Sequence, residues 1–205
     1  MSRVLKAENL RVDLPLREGT LHAVRGTSFS VDHGETLCIV GESGCGKSLT
    51  SLALMGLLPR KARRTADTLT LGETDLQTAG ARQMARIRGN RMSMIFQEPM
   101  TTLNPAYTVG DQLTEALRAH RRVSPQEARD RALFLLEKVG ITAAASRMGQ
   151  YPHQLSGGLR QRIVIAMALM CGPDLVIADE PTTALDVTIQ AQILTLLAEL
   201  QEEFH

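Results

Sequence analysis

The sequence predicts an α/β fold with a helical insertion, and three observations carry that expectation. An apolar run at residues 36–40 leads into a glycine-rich loop and then into an apolar helical stretch. A second apolar run, Leu175-Val176-Ile177-Ala178, ends in two carboxylates, Asp179 and Glu180. Between these two units the pattern turns helical. The order β-rich, βα, all-helical, βα predicts a core made of residues 1–100 and 166–205, interrupted by a helical subdomain at 101–165.

Taken in order, residues 4–14 and 21–31 read as strands of an amino-terminal antiparallel β subdomain, punctuated by Gly19, Gly26 and the turn Asp32-His33-Gly34. Residues 36–40 are continuously apolar, as expected of a strand buried on both faces. Residues 49–58 follow at helical spacing up to Pro59, and 91–96 read as a further strand. Ser124-Pro125-Gln126-Glu127 is a capping box with proline at the first helical position. Behind it Ala128, Ala132, Leu135, Leu136 and Val139 form one stripe, which Gly140 ends. The next helix runs from Gly158 to Gly172-Pro173. Leu175-Val176-Ile177-Ala178 is again a buried strand. A last helix starts near Asp186 with Ile189, Ile193, Leu196, Leu197 and Leu200 on one face.

Composition narrows the function. A net charge of +1 argues against a duplex-binding surface, so no nucleic-acid partner is expected. Cys38, Cys45 and Cys171 are scattered and odd in number, which indicates neither a disulfide framework nor a zinc site and fits a reducing cytosol. Met1 to Lys6 lacks the apolar region of a secretory signal. The apolar run at 163–171 falls short of the roughly 20 residues that a membrane span needs. Any membrane role is therefore expected to come through a partner.

Gly41-Glu42-Ser43-Gly44-Cys45-Gly46-Lys47-Ser48 matches the phosphate-loop pattern GxxxxGK[ST], set between an apolar run and a helix. The glycines let successive N–H groups converge on phosphate oxygens, and the helix opening at Lys47-Ser48-Leu49 adds its positive end. Lys47 supplies a point charge for the β- and γ-phosphates, and the Ser48 hydroxyl can ligate Mg²⁺. Cys45, beside Lys47, lies in surroundings that favour a thiolate. Asp179 would be aimed at the Mg²⁺ region, and Glu180 would accept a proton from the attacking water. The chain has no Asn-Lys dipeptide for reading guanine and no long heptads between its two motifs. GTPases and SMC-like ATPases are thereby disfavoured.

Leu155-Ser156-Gly157-Gly158-Leu159-Arg160-Gln161 supplies a second anion site, with Ser156 able to cap a helix and bare glycine N–H groups able to approach a phosphate. With this motif the chain resembles the ABC ATPase family along essentially its whole length. The resemblance rests on the phosphate loop, Gln97, the Ser156-Gly157-Gly158 signature, the acidic strand end and Ala184-Leu185-Asp186. It is nearest to the peptide/nickel importer subfamily, through Phe96-Gln97-Glu98-Pro99-Met100-Thr101-Thr102-Leu103-Asn104-Pro105, Tyr151-Pro152-His153-Gln154 and Glu180-Pro181-Thr182-Thr183.

The resemblance implies a subunit that binds ATP with Mg²⁺ and hydrolyses it to drive uptake of peptides, nickel complexes or a related solute. Its place would be the cytoplasmic face of a bacterial-type membrane. It implies a head-to-tail dimer in which Ser156, Gly157 and Gly158 of one subunit and the phosphate loop of the other hold one nucleotide, with Asp186 nearby. Gln97 would complete the Mg²⁺ and water shell, and residues 97–110 with the helical subdomain would receive the permease. A solute-binding protein would complete the system. An ABC-type ATPase of repair or translation, or a non-hydrolysing regulatory module, are the alternatives, and Lys47, Asp179 and Glu180 speak against the last.

The sequence departs from the family at three points. Leu159 stands where many relatives carry glutamine. No aromatic lies between Val12 and Arg25 to stack on adenine, leaving Leu14 or His22. The switch histidine, roughly 30 residues beyond Glu180 in the resembled family, is not reached, and His205 follows a helix rather than a strand. The 205 residues alone are therefore expected to be a carboxy-terminally truncated domain with little turnover. Residues 60–64, with Arg60, Lys61, Arg63 and Arg64, read as a solvated loop, and Arg160 and Arg162 as facing solvent or a neighbouring subunit.

Overall fold

The computed structural model describes residues 2–97, 102–182 and 186–204. The expectations placed on 98–101, 183–185 and His205 lie outside the described residues. The chain divides into two compact units, one up to Arg88 and one from Gly89 onward.

In the first unit, β1 (Arg3–Leu16) and β2 (Gly19–Asp32) form an antiparallel hairpin. On the other side of β1 lie β3 (Arg63–Thr65) and β4 (Thr68–Leu71), and β5 (Thr74–Asp75) pairs with β4. The hairpin register shifts between Ala7 and Leu10, where Asn9 adopts φ 50°. The Asn9 N–H donates to Ser28 Oγ at 2.8 Å, so the bulge leaves no orphan donor there. Inward-facing Leu5, Leu10, Val12, Leu69, Leu71 and Leu76 make a buried core. Helix α1 (Lys47–Met55) buries Ala53, Leu54 and Met55, and α2 (Ala81–Ile87) buries Met84 and Ile87.

Several expectations fail in this unit. Residues 36–40 are not a strand, and Leu37, Ile39 and Val40 are exposed, Val40 by 88%. Cys38 is exposed with them. An apolar run becomes a strand only by finding a ladder partner, and none pairs with these residues among those described. Helix α1 stops at Gly56 rather than at Pro59, because the Leu57 N–H turns back to Leu52 O at 2.8 Å and closes the last turn. Arg64 is not solvated: it donates 2.6 Å bonds to Ala53 O and Leu76 O. Arg88 joins it, donating to Met55 O and Gly56 O at 2.7 Å each. Together the two guanidinium groups cover the carbonyl end of α1, where cations are favoured.

In the second unit, β6 (Met92–Ile95) and β7 (Leu175–Ala178) run parallel, in register from Met92↔Leu175 to Ile95↔Ala178. All four β6 residues are buried, whereas β7 is half-buried with Ala178 exposed. The doubly buried strand expected at 175–178 is therefore not observed, since among the described residues only β6 pairs with it. Around them pack α3 (Val109–Arg118), α4 (Pro125–Lys138), α5 (Ala144–Arg147), α6 (Gly157–Ala168) and α7 (Val187–Phe204). Their core joins Leu113, Leu135, Leu136, Ile163, Ile165 and Ile193.

The capping box at Ser124 is present, and Thr108 with Asp111 forms a second at the start of α3. Helix α6 ends at Ala168, ahead of Gly172-Pro173, and Arg131 donates to Leu169 O and Met170 O at its end. Cys171 is buried beside it, and that burial pushes its thiol pKa up. Arg160 and Arg162 are half-buried, and each meets a carbonyl of its own chain. Arg160 donates to Pro152 O at 2.7 Å, a carbonyl that also accepts from the Leu155 N–H, and Arg162 donates to Val139 O at 2.6 Å at the end of α4. Among the described residues no helix is long and apolar enough to cross a membrane.

Candidate functional site

The phosphate loop ends at Gly46, whose φ of 99° and close approach to Ala23 O exclude a side chain: a Cβ there would stand 2.6 Å from that oxygen. The left-handed turn at Gly46 reverses the chain into α1, so the helix begins at Lys47 with Ser48 and Leu49 in its first turn. First-turn N–H groups have no carbonyl within their own helix and form an anion-facing end. The Thr50 hydroxyl and N–H bond to Gly46 O at 3.0 and 2.8 Å, tying the helix to the loop.

Lys47 Nζ donates to Gly41 O at 2.8 Å and to Glu42 O at 3.0 Å, and lies 4.0 Å from Cys45 Sγ. The ammonium is therefore held at the mouth of the loop that contains Gly41, Glu42, Ser43 and Gly44. Cys45 is exposed. On the β1–β2 hairpin, His22 Nδ1 lies 2.7 Å from Asp13 Oδ1. Leu14, opposite Leu21 in the same ladder, is half-buried.

In the second unit, the parallel register brings two strand ends level. Gln97 stands two residues beyond Ile95 and Glu180 two beyond Ala178, and the strands pair at those residues. Gln97 Nε2 donates to Glu180 Oε2 at 3.0 Å. Asp179, between strand and Glu180, is only 9% exposed, and its N–H donates to Ile95 O at 2.9 Å. Glu180 itself has φ 45°, a conformation that costs a non-glycine residue of order 1–3 kcal/mol and persists only where neighbours enforce it.

Ser156 caps α6, its hydroxyl accepting from the Leu159 N–H at 3.4 Å, so Gly157 and Gly158 open that helix as the signature reading expects. Asp186 Oδ1 accepts from the Ile189 N–H at 3.0 Å and opens α7 in the same way. Ser156, Gly157, Gly158, Asp179, Glu180 and Gln97 thus fall in one unit, and the residues 41–49 in the other.

Sequence reading overlooked two amides. Gln161, wholly buried, donates from Nε2 to Pro181 O at 2.7 Å, and Gln190 donates to Thr182 O at 3.0 Å. The one available signal was a glutamine in an apolar helix whose neighbours Ile163 to Ala166 are buried all round.

Comparison with known proteins agrees with the motifs. A family model described as "ABC transporter" matches residues 24–183. The dipeptide transport ATP-binding protein DppD of Bacillus subtilis (strain 168) is 56% identical over 99% of this chain and 61% of its own length. The oligopeptide transport ATP-binding protein AppD of the same strain is 49% identical over 100% of the chain and 63% of its own. The chain thus spans about three fifths of the length of these relatives. A dimeric ATP-binding cassette solved in a post-hydrolysis state with ADP and Pi superposes with a TM-score of 0.84 at 28% identity, covering 97% of this chain and 83% of that one.

Proposed function

The chain belongs to the ABC transporter family, and from that premise we propose that it is the ATP-binding and ATP-hydrolysing subunit of an importer for peptides, nickel complexes or a related small solute. One observation carries the hydrolytic part: parallel strand ends deliver Gln97 and Glu180 into a 3.0 Å hydrogen bond beside a buried Asp179. That is an arrangement for activating water, and the glycine loop with Lys47 supplies the phosphate-binding part.

In this reading Gly41 to Leu49 cradle the phosphates through backbone N–H groups, and Lys47 gives up loop carbonyls to meet phosphate oxygens. Glu180, oriented through Oε2 by Gln97, accepts the proton of the attacking water. The Ser48 hydroxyl, the Asp179 carboxylate and the carbonyl end of the Gln97 amide are hard oxygen donors that suit Mg²⁺. A carboxylate as buried as Asp179 is also one whose charge a cation compensates. When bound, the ion neutralises charge developing on the phosphates. Ser156, Gly157, Gly158 and Asp186 would meet the nucleotide of a second subunit in a head-to-tail dimer.

Permease subunits would dock on the helical subdomain at 101–165 and on residues 97–110 at the inner face of the membrane, and a solute-binding protein would deliver cargo from the other side. The peptide and dipeptide names of the relatives support the solute class. In the full-length chain, Glu180→Gln is expected to leave ATP-analogue binding intact while slowing phosphate release by about 10²–10⁴. Near-normal turnover in that variant would remove Glu180 from the role of base.

A further inference from the structure

The left-handed backbone of Glu180 is followed by two carbonyls that are each held from elsewhere in the unit. Pro181 O accepts from Gln161 on α6, and Thr182 O accepts from Gln190 in the first turn of α7. Gln161 is 0% exposed, and among the described residues its Oε1 has no hydrogen-bond partner, so its side chain is kept inside for what its Nε2 does. The same two helices meet again over their first two turns. A Cβ on Gly158 would stand 3.3 Å from Ile189 Cγ2, and Arg162 donates to Gln192 Oε1 at 3.4 Å. The opening of α6 is therefore fixed to the segment that follows Glu180 by packing and by hydrogen bonds.

We propose that Gln161 is a positioning residue for ATP hydrolysis: from inside α6 its amide holds the turn that presents Glu180, with Gln190 as the second hold. This rests on the reading of the chain as an ATP-hydrolysing subunit. Movement of the Ser156-Gly157-Gly158 end of α6 is then transmitted to Glu180 of the same subunit. A turn in an unfavourable conformation relaxes when its restraints go, and a displacement of about 1 Å at a reacting group can cost 10²-fold in rate.

The test uses the full-length chain, steady-state phosphate release, and equilibrium binding of a fluorescent ATP analogue. Gln161→Leu is expected to lower kcat by about 10- to 100-fold with KM and analogue affinity nearly unchanged. In a Glu180→Gln background the same change is expected to cost nothing further, because the residue acts through Glu180. A structural role alone would instead weaken analogue binding and add to the loss in the double variant. Should Gln161→Leu not fold, Gln190→Leu at its half-buried position carries the test, with an expected kcat loss of about 3- to 10-fold. Unchanged kcat in Gln161→Leu, or an additive double variant, overturns the inference while leaving the proposed function standing. Loss of fold in both single variants assigns the amides to packing and also overturns it. Normal turnover in Glu180→Gln alone would strike the functional reading instead.

Discussion

The two units present their candidate functional residues by different physical means. Up to Arg88 the anion-facing part is one continuous stretch of backbone: a glycine turn, a lysine bonded to its own loop, and the first turn of α1. From Gly89 onward the parts come from far apart in the chain. Gln97 and Glu180, 83 residues apart, are joined by one hydrogen bond, and Gln161 reaches 20 residues to Pro181. A cradle made by backbone tolerates changes in its neighbours but depends on the few side chains that cannot be replaced. A constellation held by side-chain amides depends on every hold.

The sharpest way to break this contrast is Lys47→Ala in the full-length chain. The loop's one cation is lost, and ATP-analogue affinity is expected to fall about 100-fold, the equivalent of about 3 kcal/mol of charge-assisted bonding. Ser156→Arg, at the opening of α6, is expected to leave that affinity in the monomer unchanged and to block ATP-dependent crosslinking between subunits. Unchanged affinity in Lys47→Ala would deny the loop its role. Normal crosslinking in Ser156→Arg would deny α6 a partner's nucleotide.

This contrast also decides what was legible in the sequence. The phosphate loop, the Ser156 cap and the acidic strand end lie in short stretches, and spacing alone located them. The hold of Gln161 on Pro181 was not legible, since a glutamine in an apolar helix hints at burial but not at the carbonyl, 20 residues away, that it meets. The apolar run at 36–40 misled for the opposite reason: its pattern is local, whereas being a strand is a property of a pair. Arg64 was misread as solvated because its acceptors, Ala53 O and Leu76 O, lie 11 and 12 residues away.

Arg64 shows that distributed holds are not confined to the second unit. Its guanidinium is half-buried, and burial draws its pKa below the ordinary arginine value while Asp75 opposes that. Arg64→Leu removes two 2.6 Å bonds from the end of α1 and from Leu76 O. Hydrogen bonds from charged donors contribute about 1.5–3 kcal/mol each, and with two lost the variant is expected to lose about 3 kcal/mol or more in urea unfolding. A loss under about 0.5 kcal/mol, the range of ordinary surface changes, would return Arg64 to the solvated loop.

The smallest effect tests whether legibility follows locality rather than the unit concerned. The capping box of α4 lies in the second unit, yet it is wholly local and was read from four residues. Ser124 Oγ accepts from the Glu127 N–H at 3.2 Å, and Glu127 Oε2 accepts from the Ser124 N–H at 2.7 Å. Ser124→Ala removes the first bond and is expected to cost about 1 kcal/mol, the usual weight of an N-cap. Glu127 adds a sign that can be checked. The hydrogen bond to the Ser124 backbone, and then that to its side chain, hold the Glu127 carboxyl below its ordinary value of 4.5. A carboxylate depressed in the folded state contributes stability above its unfolded pKa and loses it as pH falls through the folded value. Glu127→Gln should therefore be less stable than the parent at neutral pH, with the difference shrinking as the pH falls below 4.5. Urea midpoints measured across that range decide the matter. A difference that stays constant or grows toward acid would mean that the box acts through shape alone, and that its charge, although legible, does nothing for α4.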